Sequence, residues 1–300
     1  MRVERYISDD TNENVDHEFI KKKRSIKERY QKMLEEITSL DSYEAFINEI
    51  CSDENYVDPH YLYDNNNLYS AFERRDHHVY ANIDGGNTDG IFVLLILPTE
   101  KYIEIIIGLS KSKHAYNELF QYLESNYKGY RCDIVINPKN VLLKNILVSK
   151  DAKFESEQQR MIARFPSHKQ YPLDIQLYSE QWKQAYIDMH VKETYWTAEK
   201  VLSAFDRFRV FLAINHEQLI GYLDVTYTYK QNEPYSIFVL SEYQNLGYEQ
   251  ALLSKAIQMN GTNTMMTLVD VNAKEEIKIY EEVGFEVIKG QNSIFATITI

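Results

Sequence analysis

Two α/β domains in tandem, each a mixed, mostly antiparallel central sheet flanked by helices, are the fold this sequence predicts. Three observations carry the prediction. The 300-residue chain exceeds the usual single-domain size and fits two domains of roughly 150 residues each. A seam at 165–172, FPSHKQYP, sets two prolines and polar residues between apolar patterns. The order of elements on its two sides repeats, as an order and not as residues. The expected domains are residues 1–166 and 173–300.

In the first half, 21–37 reads as a charged helix. Residues 78–83 and 91–97 read as strands joined into a hairpin through the turn-rich DGGNTDG. A β-branched run at 102–107, a helix near 113–125, a strand at 132–136, a helix from Pro138 and a strand from about Phe154 complete this half. Asn137 reads as a helix cap before Pro138 at the first turn. In the second half, 182–194 and 198–205 read as helices and 210–214 with 219–228 as a hairpin around Asn215-His216-Glu217-Gln218. Then come a strand at 236–240, a helix at 248–258, a strand at 265–271, a helix at 274–283, and a closing pair at 285–288 and 293–300.

Composition narrows the function. The apolar fraction of 44% is that of a globular chain, and the longest apolar stretches, such as 91–97, are too short to cross a bilayer. The opening MRVERYISDD lacks the apolar core of a signal peptide, so a cytoplasmic protein is expected. Two isolated cysteines, Cys51 and Cys132, are too few for a zinc site or a disulfide framework. His77 and His78 are adjacent on a strand and face opposite ways, so no metal site is expected from them. The net charge of −12 divides into −5 for 1–170 and −7 for the rest. That excess acidity opposes a nucleic-acid partner. The basic run from Lys21 to Lys32 shares its pattern with Glu28, Glu35 and Glu36 and reads as a solvated helix face.

Chemistry concentrates at Phe238-Val239-Leu240, where a strand runs through Ser241-Glu242-Tyr243 into Gln244-Asn245-Leu246-Gly247-Tyr248-Glu249-Gln250 and a helix. The first turn of a helix leaves backbone N–H groups unpaired, and its dipole favours negative charge. A pyrophosphate can sit there on main chain alone, and Gly247 permits a close approach.

This segment resembles the signature of the GNAT superfamily of acyl-CoA-dependent N-acyltransferases: a strand, then Arg or Gln, two variable residues, Gly, one variable residue, and Gly or Ala. Gln244 and Gly247 match, Asn245 replaces a common glycine, and Glu249 stands at the last small position. A second stretch, from Val271 to Phe285, is similar to the family's Asn-bearing strand end, Leu-Tyr-Glu helix and Gly-Phe turn. Tyr280, Gly284 and Phe285 match, while Asn272 lies eight residues before Tyr280 where relatives commonly have seven. Gly284 also suits a plain helix C-cap. The resemblance implies acetyl-CoA as cosubstrate, held by Phe238, Val239, Leu240, residues 244–250 and Asn272. It also implies that Tyr280 donates a proton to the departing thiolate.

An attacking amine must lose a proton, and Glu233 and Asp224, near the middle strands, are the candidate bases. No serine or cysteine stands in a nucleophile-elbow context, which favours direct transfer in a ternary complex. The N-terminal copy lacks the Gln-x-x-Gly pattern after Ile103–Ile107, and Leu147 stands where the tyrosine would be. It is expected to act as a scaffold. A small-molecule or peptide amine is the expected acceptor, the chain a monomer or homodimer. Two alternatives stay open: a CoA-binding module without catalysis, and a tandem aminoacyl transferase using charged tRNA, which the acidic charge opposes.

Overall fold

The computed structural model describes residues 34–165, 169–192 and 194–300. Among them the chain opens with strand β1 (Leu34–Glu36) and three short helices, α1 (Glu44–Cys51), α2 (Pro59–Tyr63) and α3 (Asn66–Tyr69). Strands β2 (His77–Asp84), β3 (Asn87–Leu97) and β4 (Tyr102–Leu109) follow, then α4 (Lys113–Asn126), β5 (Arg131–Ile136), α5 (Val141–Val148) and β6 (Lys153–Ala163). The second half runs β7 (Asp174–Leu177), α6 (Lys183–Met189), α7 (Ala198–Ser203), β8 (Phe208–Asn215), β9 (Gln218–Thr226), β10 (Gln231–Asn232) and β11 (Pro234–Val239). It ends with α8 (Tyr248–Met259), β12 (Thr264–Asp270), α9 (Lys274–Val283), β13 (Glu286–Val287) and β14 (Ser293–Thr299).

Among the described residues two compact units result: 34–155 with 294–300, and one within 156–293. They do not divide at 165–172, where the sequence places its seam. The reason is strand pairing. β14, last in sequence, runs antiparallel to β5 of the first unit, from Ile294–Ile136 to Thr299–Arg131. Most of β6, which closes the first set of elements in sequence, pairs with β12 of the second unit.

In unit 1, β1 to β4 are antiparallel neighbours and β4 pairs with β5 in parallel. Gly85 and Gly86, both at positive φ, make the two-residue turn between β2 and β3. From Ile91 to Leu97, β3 is an unbroken apolar run because helices cover both faces of the sheet. Phe92, Leu94 and Ile96 join the core with α4 and α5, while Ile91 and Val93 join Ile47, Ile50 and Leu68 of α1 and α3. The charged helix expected over 21–37 lies mostly outside the described residues. Its last part is a strand instead, because Leu34–Glu36 pairs with Asn82–Tyr80 on the edge of β2. The cap of α5 is Asn140, whose side chain accepts the Leu143 N–H at 3.0 Å; Asn137, expected as the cap, has another task described below. Cys51 and Cys132 are free, and burial raises both thiols, Cys51 to about 12.

Unit 2 contains an antiparallel sheet in the order β11-β9-β8-β7. A second group has β12 and β13 antiparallel to β6, with β10 parallel to β12. α9 stops at Gly284 (φ 108°), where the Gly284 N–H bonds the Glu281 carbonyl and the Phe285 N–H bonds that of Tyr280. This is the C-cap the sequence predicts. On β9, Gly221 lies opposite Val239, and an added Cβ would stand 2.6 Å from the Phe238 carbonyl oxygen. That obstacle is backbone and cannot rotate away. Gly221→Ala is therefore expected to destabilise the protein by about 1–3 kcal/mol, read by denaturant unfolding; an unchanged midpoint would contradict the packing.

The two halves repeat one irregularity. In β4, Ile106 is an extra residue between the pairs Ile105–Leu94 and Ile107–Val93. In β11, Tyr235 is an extra residue between Pro234–Val225 and Ser236–Asp224. The bulge in β4 directly follows its last parallel pair with β5, and the bulge in β11 lies three residues after the last parallel pair of β10 with β12.

Candidate functional site

The parallel contact in unit 2 is brief: only Gln231–Thr264 and Asn232–Met265. Buried Asn232 pins that end, donating to Asn260 Oδ1 at 2.7 Å and accepting the Tyr229 N–H. Past the bulge β11 pairs with β9 alone. Hydrogen bonding alternates along an antiparallel edge. Since the Leu240 N–H reaches the Ile220 carbonyl, Phe238 also faces β9, and Ile237 and Val239 turn their N–H and C=O groups toward the gap beside β12. Gln244 folds back so that its Nε2 donates to the Val239 carbonyl at 3.2 Å.

At the end of β11 the chain curls through Asn245 (φ 61°) and Gly247 (φ 91°) into α8. Gly247 is the N-cap and has no side chain to occupy the first turn. Among the described residues no acceptor takes the N–H groups of Gly247, Tyr248, Glu249 or Gln250. Open N–H groups in this arrangement are able to hold an anion on main chain alone. Leu246 is 61% exposed beside them. Tyr248 is buried and packs edge-on against Tyr243, so it contributes only its backbone.

Glu249 does not point into solvent. It is half-buried, and its Oε2 is closed off without a hydrogen-bond partner, as is Oε1 of Gln250. Gln250 Nε2 donates to Glu282, which also pairs with Lys169 at 3.4 Å. Glu249 thus puts a half-buried carboxylate side chain on the first turn of α8.

On the far side of the gap, Tyr280 of α9 is 4% exposed, its ring edge-on to Phe285 at 5.0 Å. Burial pushes its phenol up to about 12, moderated by a hydrogen bond with the Thr267 side chain of β12. Asn272 is exposed in the turn before α9, with its N–H on Asp270 Oδ1 at 2.7 Å and its carbonyl on the Lys274 N–H. Glu233 stands two residues ahead of the bulge, its carbonyl accepting the Thr226 N–H at 3.0 Å and its own N–H donating to Thr226 Oγ1 at 2.8 Å.

Asp224 is not placed as a base. It is fully buried, with Oδ1 accepting from Tyr186 at 2.7 Å and Oδ2 meeting His190 Nε2 at 2.8 Å. His190 Nδ1 meets the Val191 carbonyl at 2.8 Å. Both ring nitrogens thus face oxygen acceptors. Burial opposes charge on His190, but the bonds to Asp224 and Val191 outweigh it and raise its pKa. Burial likewise raises Asp224, offset in part by His190 and Tyr186. The network continues through the Val191 N–H to the Tyr222 hydroxyl, which meets Ser236 Oγ at 3.1 Å just past the bulge. Sequence reading missed His190 and Tyr186, which lie on or beside α6, distant in sequence from β9. A cleft of about 670 Å³ also exists, lined by Leu173, Trp182, Asn215 and Tyr248 among others and by no residue of β11 or β12, so it lies outside the gap.

Residues 206–287, which hold the hairpin, the gap strands, the start of α8 and Tyr280, match the family model of the acetyltransferase (GNAT) domain. The second half carries a GNAT domain. Solved structures extend the likeness to the fold of the chain. A GCN5-related N-acetyltransferase from Sphaerobacter thermophilus is 11% identical with a TM-score of 0.55, over 74% of this chain and 80% of that one. A GNAT-family acetyltransferase from Colwellia psychrerythraea is 10% identical with a TM-score of 0.52, over 89% and 99%. A tandem GNAT protein from the clavulanic acid biosynthesis pathway, solved without AcCoA, is 9% identical with a TM-score of 0.51, over 88% and 98%. At such identities the likeness is one of fold: GNAT-like units in tandem. No curated protein matches the sequence. No helix among the described residues is long and apolar enough to cross a membrane.

Proposed function

We propose that this protein is an acetyl-CoA-dependent N-acetyltransferase of the cytoplasm, acting on a primary amine of a small molecule or peptide, with its active site in the copy at 173–300. The observation that carries the reading is the gap beyond Tyr235, where a strand edge that, among the described residues, no other strand pairs leads into a glycine-started helix with open N–H groups. That edge suits the amides of a pantetheine arm and the helix start suits its pyrophosphate. Acetyl-CoA supplies an activated acetyl thioester when bound. In this reading Ile237 and Val239 orient the arm by main-chain bonds and residues 244–250 hold the phosphates. Glu233, at the mouth of the bulge, takes the proton of the amine, and Tyr280 returns one to the departing thiolate. The Tyr280 phenol keeps its proton throughout the physiological range, as that role requires. Asn272 sits at the surface in the turn before α9, so its expected part in cofactor binding rests on the family resemblance alone. The copy at 1–166 serves as scaffold.

Calorimetric titration with acetyl-CoA tests the reading; micromolar binding is expected. Glu249 supports a second reading, a CoA-binding module without turnover, because a carboxylate at roughly 4–8 Å from a pyrophosphate costs about 2–4 kcal/mol at an effective dielectric near 20. It follows that Glu249→Gln should tighten acetyl-CoA binding at least tenfold. If affinity is unchanged in low salt, the carboxylate does not face the phosphates.

A further inference from the structure

Unit 1 holds the counterpart of this gap, and there the gap is filled. Parallel pairing of β4 with β5 ends at Ile105–Ile134, and Ile106 is the bulged residue. Beyond it, the edge of β4 that leaves β5 meets the segment 54–61. The Gly108 N–H donates to Asp58 Oδ2 at 2.9 Å, and the Ile106 carbonyl accepts from His60 Nδ1 at 2.9 Å. From the other side Asn137, directly after β5, donates through Nδ2 to the carbonyls of Glu54 and Val57 at 2.9 and 3.1 Å.

The segment is also held within itself. Asp58 Oδ1 accepts the N–H groups of His60 and Tyr61 at the start of α2. Val57, Asp58 and Asn137 are all buried, and burial pushes the Asp58 carboxyl up to about 6 in spite of its three N–H donors. A second, independent difference lies at the following helix. α4 begins at Ser112, whose hydroxyl accepts the N–H groups of His114 and Ala115 at 3.1 and 3.3 Å. The matching first turn in unit 2 begins at Gly247 and has no such cap.

We propose that the gap between β4 and β5 is a second channel of the kind that takes an extended amide chain, and that residues 54–61 are its permanent occupant. An amide arm would offer a carbonyl to one strand N–H and an N–H to one strand carbonyl. Asp58 and His60 make that same acceptor and donor pair, on Gly108 and Ile106. The chain then loads one acyl-CoA, in unit 2, while helices α1 to α3, which stand between β1 and β2 as α6 and α7 stand between β7 and β8, serve to deliver the plug. The loading statement rests on the cofactor reading of unit 2; the filling of the channel does not.

Two measurements on the full chain test this separately. In hydrogen exchange the Gly108 amide should be protected to the level of neighbouring sheet amides, and Asp58→Ala should speed it at least tenfold while leaving Ala115 unchanged. Should that variant fail to fold, Asp58→Asn, which keeps one oxygen for the α2 cap, replaces it. A Gly108 amide that exchanges freely in the wild type, or is indifferent to Asp58, overturns the plug. In calorimetry with acetyl-CoA, one site per chain is expected, lost entirely in Gly247→Trp. Two sites, or a site that survives that substitution, overturn it as well. Complete absence of binding in the wild type defeats the cofactor reading of unit 2 instead, and the exchange result still decides the plug.

Discussion

Acetyl-CoA binding should weaken at least a hundredfold when Gly247 is replaced by tryptophan, with far-UV circular dichroism retained. The fold tolerates the change for a measurable reason. A Cβ at Gly247 would meet only ordinary contacts, Tyr171 Cδ1 at 3.7 Å and Leu173 Cδ1 at 3.9 Å. The strain comes from φ at 91°, and a non-glycine residue held there costs about 1–3 kcal/mol. That is less than the roughly 5–15 kcal/mol that holds a domain folded. The indole, by contrast, would lie across the N–H groups that make the cradle. A hundredfold loss is about 2.7 kcal/mol, within what an occluded charge-assisted site forfeits. Gly247→Ala is the control for backbone strain. If alanine costs as much as tryptophan, conformation and not occlusion governs the site; if neither matters, the cradle is misplaced.

Much of this site was legible because its chemistry is local in sequence. Gln244, Gly247 and the strand before them form one continuous stretch, and a strand running into a glycine and then an apolar helical pattern has few other interpretations. α9 was legible to the residue, since its apolar spacing and Gly284 mark both its face and its end. What escaped was set by pairing across distance. The exchange of closing strands depends on β14 finding β5 and β6 finding β12, and alternation within one strand carries no address for its partner. α2 and α3 escaped for a different reason. They are five and four residues long, too short to display helical periodicity.

The plug and the His190–Asp224 pair share that limit. Asp58-Pro59-His60 reads locally as a capped helix start, and nothing in that tripeptide announces that its free oxygen will reach Gly108, fifty residues on. Asp224 was noticed as a carboxylate near the middle strands, but its partners come from α6 and the residue just after it. A buried carboxylate with two donors is a fixed element of the wall beside Ser236. Proton transfer to an incoming amine needs a group that can exchange with it, a condition that a buried carboxylate held by Tyr186 and His190 does not meet.

Tyr280→Phe should lower the turnover number at least tenfold, with little change in acetyl-CoA affinity. The substitution removes one oxygen and leaves the ring against Phe285. Thr267 loses its partner, a cost to stability of about 1 kcal/mol that thermal unfolding will register. A merely structural role would stop there. A proton donor to the thiolate acts only as the carbon–sulfur bond breaks, so its loss raises the barrier without touching ground-state binding. Tenfold is about 1.4 kcal/mol, less than the roughly hundredfold at the low end of what general acids contribute, so it is a lower bound on the expected loss. The pH profile separates the two roles further. Because burial holds the phenol near 12, the wild-type rate should not fall between pH 7 and 10 through loss of this proton, and any basic limb there belongs to another group. If turnover is unchanged in the phenylalanine variant, Tyr280 is a core residue and the thiolate takes its proton from water.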